Sequence, residues 1–412
     1  MPSDPKSTEV KRVLFVAEAV TLAQVVRLLT LARALPAEEF DVHFAAATSA
    51  WPVVDAQHLR RHPLHSLTPA QVEGAVRRGT RLYSRRTLAR YVEDDLRLLD
   101  AVQPDLVVGD LRWSLSVSAP LRGVPTATLI NAYWSPHAIR DGFPLPHHPV
   151  VRFLGVELAG RHFQKALPFV FRHFARPLDA LRVAHRMPPL GGLLEVLTDG
   201  TLTLYPDVPE LVPTGPLPPT HHFLGPVLWQ PEVPWPEEWE ALDQTPIVYV
   251  TLGSSGPVHL LPALIDALAR LPVRVLVATA GRLRLEHVPP NVLVADYLPG
   301  EAAVRRASVV VTNGGSSTGY QALAQGRPVV GIPWNLDQLL ATQAIEAAGA
   351  GTSVRAHVER MPEVGRQVEA ALGGAFRAGA ARAQAALNRL DSGERFLAVV
   401  RHWLGPSPTT SA

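Results

Sequence analysis

Short apolar runs that lead into helical patterns occur in both halves of this 412-residue chain, and they constrain its fold more than any other feature. The first run, Arg12–Ala17, is followed by a helical pattern at Leu22–Leu35 and a second run at Asp41–Ala46. A strand, a crossover helix and a further strand in this order predict a parallel sheet. The first half has three more predicted strands, at Leu106–Val108, Thr126–Ile130 and Thr201–Tyr205.

A second series of the same kind begins at residue 247. Its predicted strands are Ile247–Thr251, Val273–Thr279, Val292–Ala295, Ser308–Thr312 and Pro328–Ile332. Between the two series, proline and tryptophan crowd together, and proline at that density opposes continuous helix or sheet. We therefore predict an N-terminal domain at 1–215, a linker at 216–246 and a C-terminal domain at 247–385. Residues 386–412 form a tail that includes an amphipathic helix at Glu394–Leu404.

Composition excludes several classes of protein. The chain has no cysteine, which rules out disulfides and thiolate metal sites. It lacks an apolar run long enough to span a membrane and an N-terminal signal peptide, so we expect a cytoplasmic protein. The net charge is only +2, and no dense basic run is interleaved with aromatic residues, so we expect no nucleic-acid partner. We interpret three arginine pairs as solvated helix faces: Arg60–Arg61, Arg77–Arg78 and Arg85–Arg86.

The most informative motif is a glycine pair that follows the predicted strand ending at Thr312. Gly314 and Gly315 allow a ligand to approach the backbone closely, and the hydroxyls of Ser316, Ser317 and Thr318 follow them before a helix from about Gly319. Unpaired N–H groups at a helix start bind anions, so the motif suits a diphosphate. By itself it is equally consistent with an ordinary glycine-rich turn.

Two further loops follow strands of the same domain. Asp337 and Gln338 come after the last predicted strand and offer acceptor and donor groups for neighbouring sugar hydroxyls, although Asp337 is also consistent with a helix cap. Ser254 and Ser255 lie in a loop of small residues after the first strand. One loop suited to phosphate beside another suited to hydroxyls favours a nucleotide-sugar ligand.

The segment from Tyr297 to Gly351 resembles the donor-binding region of family 1 glycosyltransferases, which include bacterial macrolide and flavonoid enzymes and plant UDP-glycosyltransferases. A weaker resemblance runs through Val13–Leu35, Pro104–Val124 and Asn131–Pro136. The resemblance implies an α/β GT-B fold, in which two Rossmann-like, doubly wound parallel-sheet domains face each other across a cleft. It also implies that the C-terminal domain binds the donor and that the last helix crosses back to the N-terminal domain.

The resemblance further implies an inverting, metal-independent transfer of a sugar from a nucleotide diphosphate carrier, with no other cofactor. A UDP-sugar or TDP-sugar is the expected donor. The expected acceptor is an apolar small molecule or a lipid-like molecule, and a lipid acceptor would bring the protein into peripheral contact with a membrane. Transferred onto this chain, the donor-binding residues are Ser254, Ser255, Asn313, Gly314, Gly315, Ser316, Ser317, Thr318, Asp337 and Gln338.

Acceptor-binding residues are expected in the N-terminal domain. Asn131 follows a predicted strand, and Tyr133 and Trp134 after it could line an apolar pocket, with His137 close behind. The aromatic-rich segment Pro146–Pro189 lies where the resemblance places acceptor-contacting helices. We nevertheless interpret its phenylalanines as core residues: Phe153, Phe163, Phe169, Phe171 and Phe174.

Two positions depart from the family pattern. Asn313 stands where the family has a phosphate-binding histidine, and Gln24 stands where it has the catalytic histidine. Asp110 stands where the family's aspartate would orient that histidine. The acceptor could ionise unaided, or another group could serve as base: Asp110, Glu18, His137, His147 or His148.

The two departures keep a second class of function open, in which the protein is a non-catalytic relative that binds a nucleotide-sugar or a lipid. A GT-B nucleotide-sugar epimerase is a further alternative. Such an enzyme needs acids and histidines in its cleft, and the motifs that we assign to the cleft are poor in both.

Overall fold

Two sheets organise the chain in this computed structural model, which describes residues 10–54, 59–145, 156–239 and 245–405. The first sheet has seven strands in the order β3-β2-β1-β4-β5-β6-β7, and every neighbouring pair is parallel. The strand order reverses between β1 and β4, and ligand crevices form at such a switch point. The strands are β1 Lys11–Ala17, β2 Phe40–Ala46, β3 Arg60–Pro63, β4 Leu106–Asp110, β5 Thr126–Leu129, β6 Leu202–Tyr205 and β7 His221–Phe223.

Helices cover the first sheet. Helix α1 has apolar residues at helical spacing that bury Val25, Leu28 and Leu29 against the sheet. The helix begins with a capping box, in which the Thr21 side chain pairs with the Gln24 backbone N–H and the Gln24 side chain accepts from the Thr21 backbone N–H. The helices of this domain are α1 Leu22–Arg33, α2 Pro69–Arg78, α3 Arg85–Val102, α4 Leu115–Leu121, α5 Val156–Ala184 and α6 Leu193–Leu197.

The second sheet has six parallel strands in the order β10-β9-β8-β11-β12-β13, with its switch point between β8 and β11. Its strands are β8 Ile247–Thr251, β9 Arg274–Ala278, β10 Val292–Ala295, β11 Val309–Thr312, β12 Val329–Gly331 and β13 Gly351–Ser353. Its helices are α7 Leu261–Leu268, α8 Gly300–Arg306, α9 Ser316–Ala324, α10 Leu336–Ala347, α11 Met361–Leu372 and α12 Arg377–Leu387.

The last helix, α13 Ser392–Leu404, packs on the N-terminal domain rather than on the C-terminal domain that precedes it. Phe396 is fully buried, and its ring centroid lies 5.9 Å from that of Phe15 in β1. Arg401 forms an ion pair with Glu39 at the start of β2. The chain therefore crosses between the domains twice.

The predicted architecture of two parallel α/β domains is confirmed, and the predicted strands and the first and last helices agree to within two residues. Three edge or near-edge strands were not predicted. β3 is an exposed, polar RRHP segment without an apolar run, β7 is an HHF segment inside the predicted linker, and β13 has only three residues. The prediction that α9 begins near Gly319 was wrong, because it begins at Ser316.

None of the helices in the described part of the chain has the length and apolar character needed to cross a bilayer.

Candidate active site between the two sheets

Residues that follow strands of one sheet contact residues that follow strands of the other. The Ser316 hydroxyl after β11 lies 3.5 Å from Asn131 Oδ1 after β5. The Tyr320 hydroxyl in α9 donates to Asp207 Oδ1, just beyond β6, at 2.5 Å. The carboxyl ends of both sheets therefore meet in one cleft, as the GT-B prediction requires, and both switch points open into it.

The phosphate-type loop of the C-terminal domain has the geometry expected of an anion site. Gly314 has a φ of +81°, and a Cβ there would lie 2.8 Å from Thr342 Cγ2, so both the backbone angle and the space favour glycine. Helix α9 begins at Ser316, and no side chain of the described residues caps its N-terminus. Ser316, Ser317 and Thr318 therefore form its first turn, where backbone N–H groups and the helix dipole attract an anion.

Asn313 joins this loop to the loop that follows β8. Its Oδ1 accepts from the Gly315 N–H at 3.1 Å, and its Nδ2 donates to the Ser255 hydroxyl at 3.4 Å. Trp334 Nε1 donates to the Ser255 carbonyl at 2.9 Å, and Arg282 donates to the Gly256 carbonyl at 2.8 Å. At the position of the family histidine, the neutral asparagine thus holds two loops together while contributing no charge.

Asp337 is exposed in the first turn of α10, and it does not cap that helix. The cap is Asn335, whose Oδ1 accepts from the Gln338 N–H at 3.0 Å. Asp337 Oδ1 instead accepts across the cleft from the Tyr133 hydroxyl at 3.2 Å and from Trp134 Nε1 at 2.8 Å. The carboxylate is thus positioned to accept from donor groups in the cleft, as hydroxyl groups of a sugar would require.

Gln338 is buried, and its Oε1 accepts from the Trp334 N–H at 3.1 Å. This bond stabilises the loop after β12, and it occupies the side-chain oxygen of Gln338 within that loop.

On the opposite wall, Asp110 at the end of β4 forms a buried ion pair with Arg27 of α1. The Arg27 Nε and one amino group donate to Asp110 Oδ2 at 3.1 and 2.7 Å, and the other amino group donates to Asn131 Oδ1 at 2.8 Å. Among the residues that the structure describes, none bonds to the buried Asp110 Oδ1. Burial raises the pKa of Asp110 to about 6, although Arg27 opposes this rise.

Asp207 supports the same wall. It accepts from Asn131 Nδ2 at 2.9 Å and from the Ala132 N–H at 2.6 Å, in addition to the bond from Tyr320. The network that starts at Asp110 therefore continues through Arg27, Asn131 and Asp207 into the C-terminal domain. Such a chain of buried hydrogen bonds fixes how the two walls of the cleft meet.

Comparison with known proteins agrees with this geometry. Residues 262–389 match the family described as erythromycin biosynthesis protein CIII-like, C-terminal domain. A PGL/p-HBAD biosynthesis glycosyltransferase of Mycobacterium tuberculosis is 47% identical over 90% of this chain and 87% of that protein. A PGL/p-HBAD biosynthesis rhamnosyltransferase of Mycobacterium bovis is 50% identical over 84% of this chain and 77% of its own length. The chain belongs to this glycosyltransferase family.

Two further similarities bear on the fold and on activity. The solved structure of the spinosyn rhamnosyltransferase SpnG complexed with thymidine diphosphate matches 96% of this chain and 100% of that chain, with a TM-score of 0.67 and 18% identity. This likeness confirms the GT-B fold. An inactive PGL/p-HBAD biosynthesis glycosyltransferase of Mycobacterium bovis is 45% identical over 63% of this chain and 71% of its own length.

In this glycosyltransferase, both carboxylate oxygens of Glu18, a candidate base from its loop position, are bonded to neighbouring residues. Its Oε1 accepts from the Tyr91 hydroxyl at 2.8 Å and from the Leu67 N–H at 3.2 Å, and its Oε2 accepts from Arg112 at 3.0 Å. The side chain is completely buried, and burial raises its pKa. Glu18 therefore belongs to a structural ion-pair cluster, in which Arg112 also binds Asp95.

Gln24 lies one helical turn before Arg27, at the start of α1. Its Oε1 accepts from the backbone N–H and the hydroxyl of Thr21, at 2.8 and 2.6 Å. The residue at the family's histidine position therefore caps its helix through Oε1, and its Nε2 takes no part in that cap. Arg27, on the same side of α1, contacts the aspartate that the family histidine would be expected to contact.

The predicted acceptor residues Tyr133 and Trp134 lie in the cleft, and aromatic side chains extend from them. Phe143 lies with its ring centroid 6.2 Å from that of Trp134, and Phe171 of α5 lies 4.9 Å from Phe143. His137 packs edge-on against His221 of β7 at 5.5 Å. His147, His148 and Phe153 lie outside the described residues.

Four residues of the cleft escaped the sequence analysis. Tyr297 follows β10, is half exposed, and donates its hydroxyl to the Ala280 carbonyl at 3.1 Å. Asp207 lies just beyond the carboxyl end of β6, as Asp110 lies at the carboxyl end of β4, so the strand-end rule could have found it. Arg27 carries a weaker signal, as a charged residue within the apolar helix pattern VVRLLTLARAL. No local sequence pattern indicates a role for Tyr320, because its partner Asp207 lies in the other domain.

No cluster of three or more metal-ligating side chains occurs within the described ranges.

Proposed function

We propose that this glycosyltransferase transfers a sugar from a nucleotide diphosphate sugar to a hydroxyl group of an apolar, lipid-like acceptor by inverting, metal-independent displacement. One observation carries the proposal. The start of α9 and Asp337 lie on one wall of the cleft, and an aromatic acceptor loop lies on the other. The buried Asp110, whose Oδ1 is unpaired, is joined to that loop through Arg27 and Asn131. Donor and acceptor chemistry therefore face each other across the same cleft.

On the donor side, the diphosphate binds at the first turn of α9, where Ser316, Ser317 and Thr318 present N–H groups and hydroxyls. Asp337 exchanges its bonds with Tyr133 and Trp134 for bonds with sugar hydroxyls. The exposed face of Tyr297 offers a planar surface on which a nucleobase can stack. We propose a TDP-sugar before a UDP-sugar, since the similar proteins include rhamnosyltransferases and a structure complexed with thymidine diphosphate.

In the reaction, the acceptor hydroxyl loses its proton to Asp110 Oδ1 as its oxygen bonds to the anomeric carbon. The bond from that carbon to the diphosphate oxygen breaks on the opposite face, which inverts the configuration. The helix dipole of α9 stabilises the charge on the leaving diphosphate. A positioned base supplies about 10²–10⁴-fold in rate, and a pKa of about 6 leaves Asp110 ionised and basic at neutral pH.

Arg27 is a positioning residue in this scheme. It binds Asp110 Oδ2 and leaves Oδ1 for the acceptor, and its charge keeps the pKa of Asp110 from rising further. Asp110 stands at the family's aspartate position, and Arg27, one turn beyond the histidine position at Gln24, is its partner in this chain. An acceptor that ionises unaided would not need Asp110, and its transfer rate would be insensitive to Asp110→Asn.

The acceptor is the least constrained part of the proposal. The relatives are glycosyltransferases of PGL/p-HBAD biosynthesis, and we propose an acceptor of the same type. Support comes from the aromatic series of Trp134, Phe143 and Phe171, which provides an apolar surface leading from the cleft to α5.

A second candidate function is binding of the nucleotide-sugar without turnover. It is favoured by Gln24 and Asn313 at the two histidine positions, and by the existence of a relative described as inactive.

Release of nucleotide diphosphate, measured with TDP- and UDP-sugars and a panel of apolar acceptors, distinguishes the two functions. Transfer requires acceptor-dependent release and a product whose anomeric configuration, read by NMR, is opposite to that of the donor. A donor that raises the melting temperature without any release supports the non-catalytic function. Retention of configuration would refute direct displacement.

A further inference from the structure

The outer face of helix α5 combines exposed cations with an exposed aromatic side chain. Lys165, Phe169, Arg172 and Arg176 follow one another at helical spacing, and all four are exposed. Phe169 is 72% exposed, which corrects its interpretation as a core residue, and Val183 continues the same face at 58%. Residues 160–178 contain no aspartate or glutamate. This face is therefore both positively charged and apolar.

A second cationic segment lies beside it. Residues 74–92, which run from the second half of α2 into the first half of α3, contain no acid and six arginines: Arg77, Arg78, Arg81, Arg85, Arg86 and Arg90. Arg81 donates from Nε to the His173 carbonyl of α5 at 3.0 Å, and α3 packs against α5. The two segments thus meet at Arg81, and both are cationic, although the whole chain has a net charge of only +2.

The inner side of the same helix leads to the sugar site. Phe171 packs edge-on against Phe143 at 4.9 Å, Phe143 lies 6.2 Å from Trp134, and Trp134 Nε1 donates to Asp337. A series of packed aromatic rings therefore extends from α5 to the cleft, with the Arg140 guanidinium over the Phe143 ring. The charged surface and the candidate acceptor site are therefore two sides of one element.

We infer that a docking face, composed of Lys165, Phe169, Arg172, Arg176 and the arginines of residues 77–90, binds the surface of an anionic lipid bilayer. The inference rests on the proposed lipid-like acceptor. Arginine and lysine are attracted to anionic headgroups, and apolar side chains between them enter the boundary with the acyl chains. Because Phe169 and Val183 project from the same helix side as the cations, a bilayer fits this surface better than a nucleic acid. The acceptor then passes from the bilayer along Phe171, Phe143 and Trp134.

Vesicle flotation of the full-length protein tests the inference. The protein should bind vesicles of equal parts phosphatidylglycerol and phosphatidylcholine, should not bind pure phosphatidylcholine, and should detach as salt rises. Each cation at the surface contributes about fivefold in affinity, so Arg172→Gln with Arg176→Gln should weaken binding about 25-fold. Phe169→Ala should weaken it about tenfold. The matched control is Arg366→Gln with Arg377→Gln, two exposed arginines of the C-terminal domain, which should bind like the wild type.

The docking face would be refuted if the wild-type protein did not bind vesicles that contain phosphatidylglycerol. It would also be refuted if the α5 double variant bound them as tightly as the control variant. Binding that is unaffected by Phe169→Ala and abolished by single-stranded RNA would assign the surface to a nucleic acid instead. Measuring sugar transfer to a water-soluble acceptor, which needs no bilayer, tests the proposed function separately from the docking face. The α5 variants should retain that transfer and lose transfer to an acceptor embedded in vesicles. Vesicle binding without transfer to any acceptor would contradict the proposed function and leave the docking face standing.

Discussion

Replacing Arg27 with glutamine should destabilise the protein, and the loss should depend on pH through Asp110. Arg27 donates twice to Asp110 and once to Asn131, and both members of the ion pair are buried. Removing one partner of a buried pair typically costs about 3–5 kcal/mol of unfolding free energy, because the other charge is left uncompensated. We expect a loss in that range above neutral pH.

The pH dependence follows from the pKa of Asp110, which burial raises to about 6. A carboxyl group whose pKa is raised by folding stabilises the folded state below its unfolded-state pKa, and this contribution is lost as pH rises through the folded pKa. Without Arg27 the folded pKa rises further, and each additional unit removes about 1.4 kcal/mol at high pH. The loss in Arg27→Gln should therefore be smaller at about pH 5 than at about pH 8.

Urea unfolding of wild type and Arg27→Gln at the two pH values measures this difference. Arg97→Gln, which removes an exposed ion pair with Asp94, is the matched control and should change stability little at either pH. Adding Asp110→Asn to Arg27→Gln should restore part of the stability at high pH, since no unpaired charge remains. Equal losses at both pH values, or a double variant no more stable than the single one, would refute the coupling between Arg27 and Asp110.

Three further predictions concern the cleft. Asp337→Asn should weaken binding of the sugar nucleotide by about 1–3 kcal/mol and leave binding of the bare nucleotide diphosphate nearly unchanged, as measured by calorimetry; equal losses would make Asp337 a structural residue. The kcat/KM of the wild type should rise about tenfold per pH unit up to about pH 6 and then level off; a profile flat through this range would exclude Asp110 as base. Gly314→Ala should lower stability by about 1–3 kcal/mol in urea unfolding, because of its positive φ, and should weaken nucleotide binding. A second substitution, Thr342→Ala, removes the steric contact but leaves the unfavourable φ, so it should not restore the stability that Gly314→Ala loses. Full recovery of stability would show that the steric contact alone requires the glycine.

The parallel sheets could be predicted from the sequence because their central strands are buried on both faces. Such strands read as continuous apolar runs, as in β1 and β8, where burial is nearly complete. The edge strand β3 could not be predicted, because its exposed residues RRHP carry no apolar pattern. Its position depends on pairing with β2, a tertiary contact that local sequence does not encode.

The local geometry of the candidate donor loop could be predicted from the sequence, and the partners of the candidate catalytic acids could not. Glycines and hydroxyl residues at strand ends determine the anion loop locally, so Gly314 and Ser316 could be selected without a structure. The roles of Glu18 and Asp110 depend on distant arginines, Arg112 for one and Arg27 for the other. Both acids lie at the ends of strands at the switch point and are fully buried, and only their partners show that both oxygens of Glu18 are bonded while Asp110 retains an unpaired oxygen.

The transfer rate of Asp110→Asn at saturating donor tests the central claim most directly. Asparagine retains the size of the side chain and a bond to Arg27, so donor affinity should remain close to that of the wild type. If Asp110 is the base, the rate should fall by about 10²–10⁴-fold. A rate equal to that of the wild type, with donor binding intact, would contradict the assignment and show that the acceptor ionises without help from this residue.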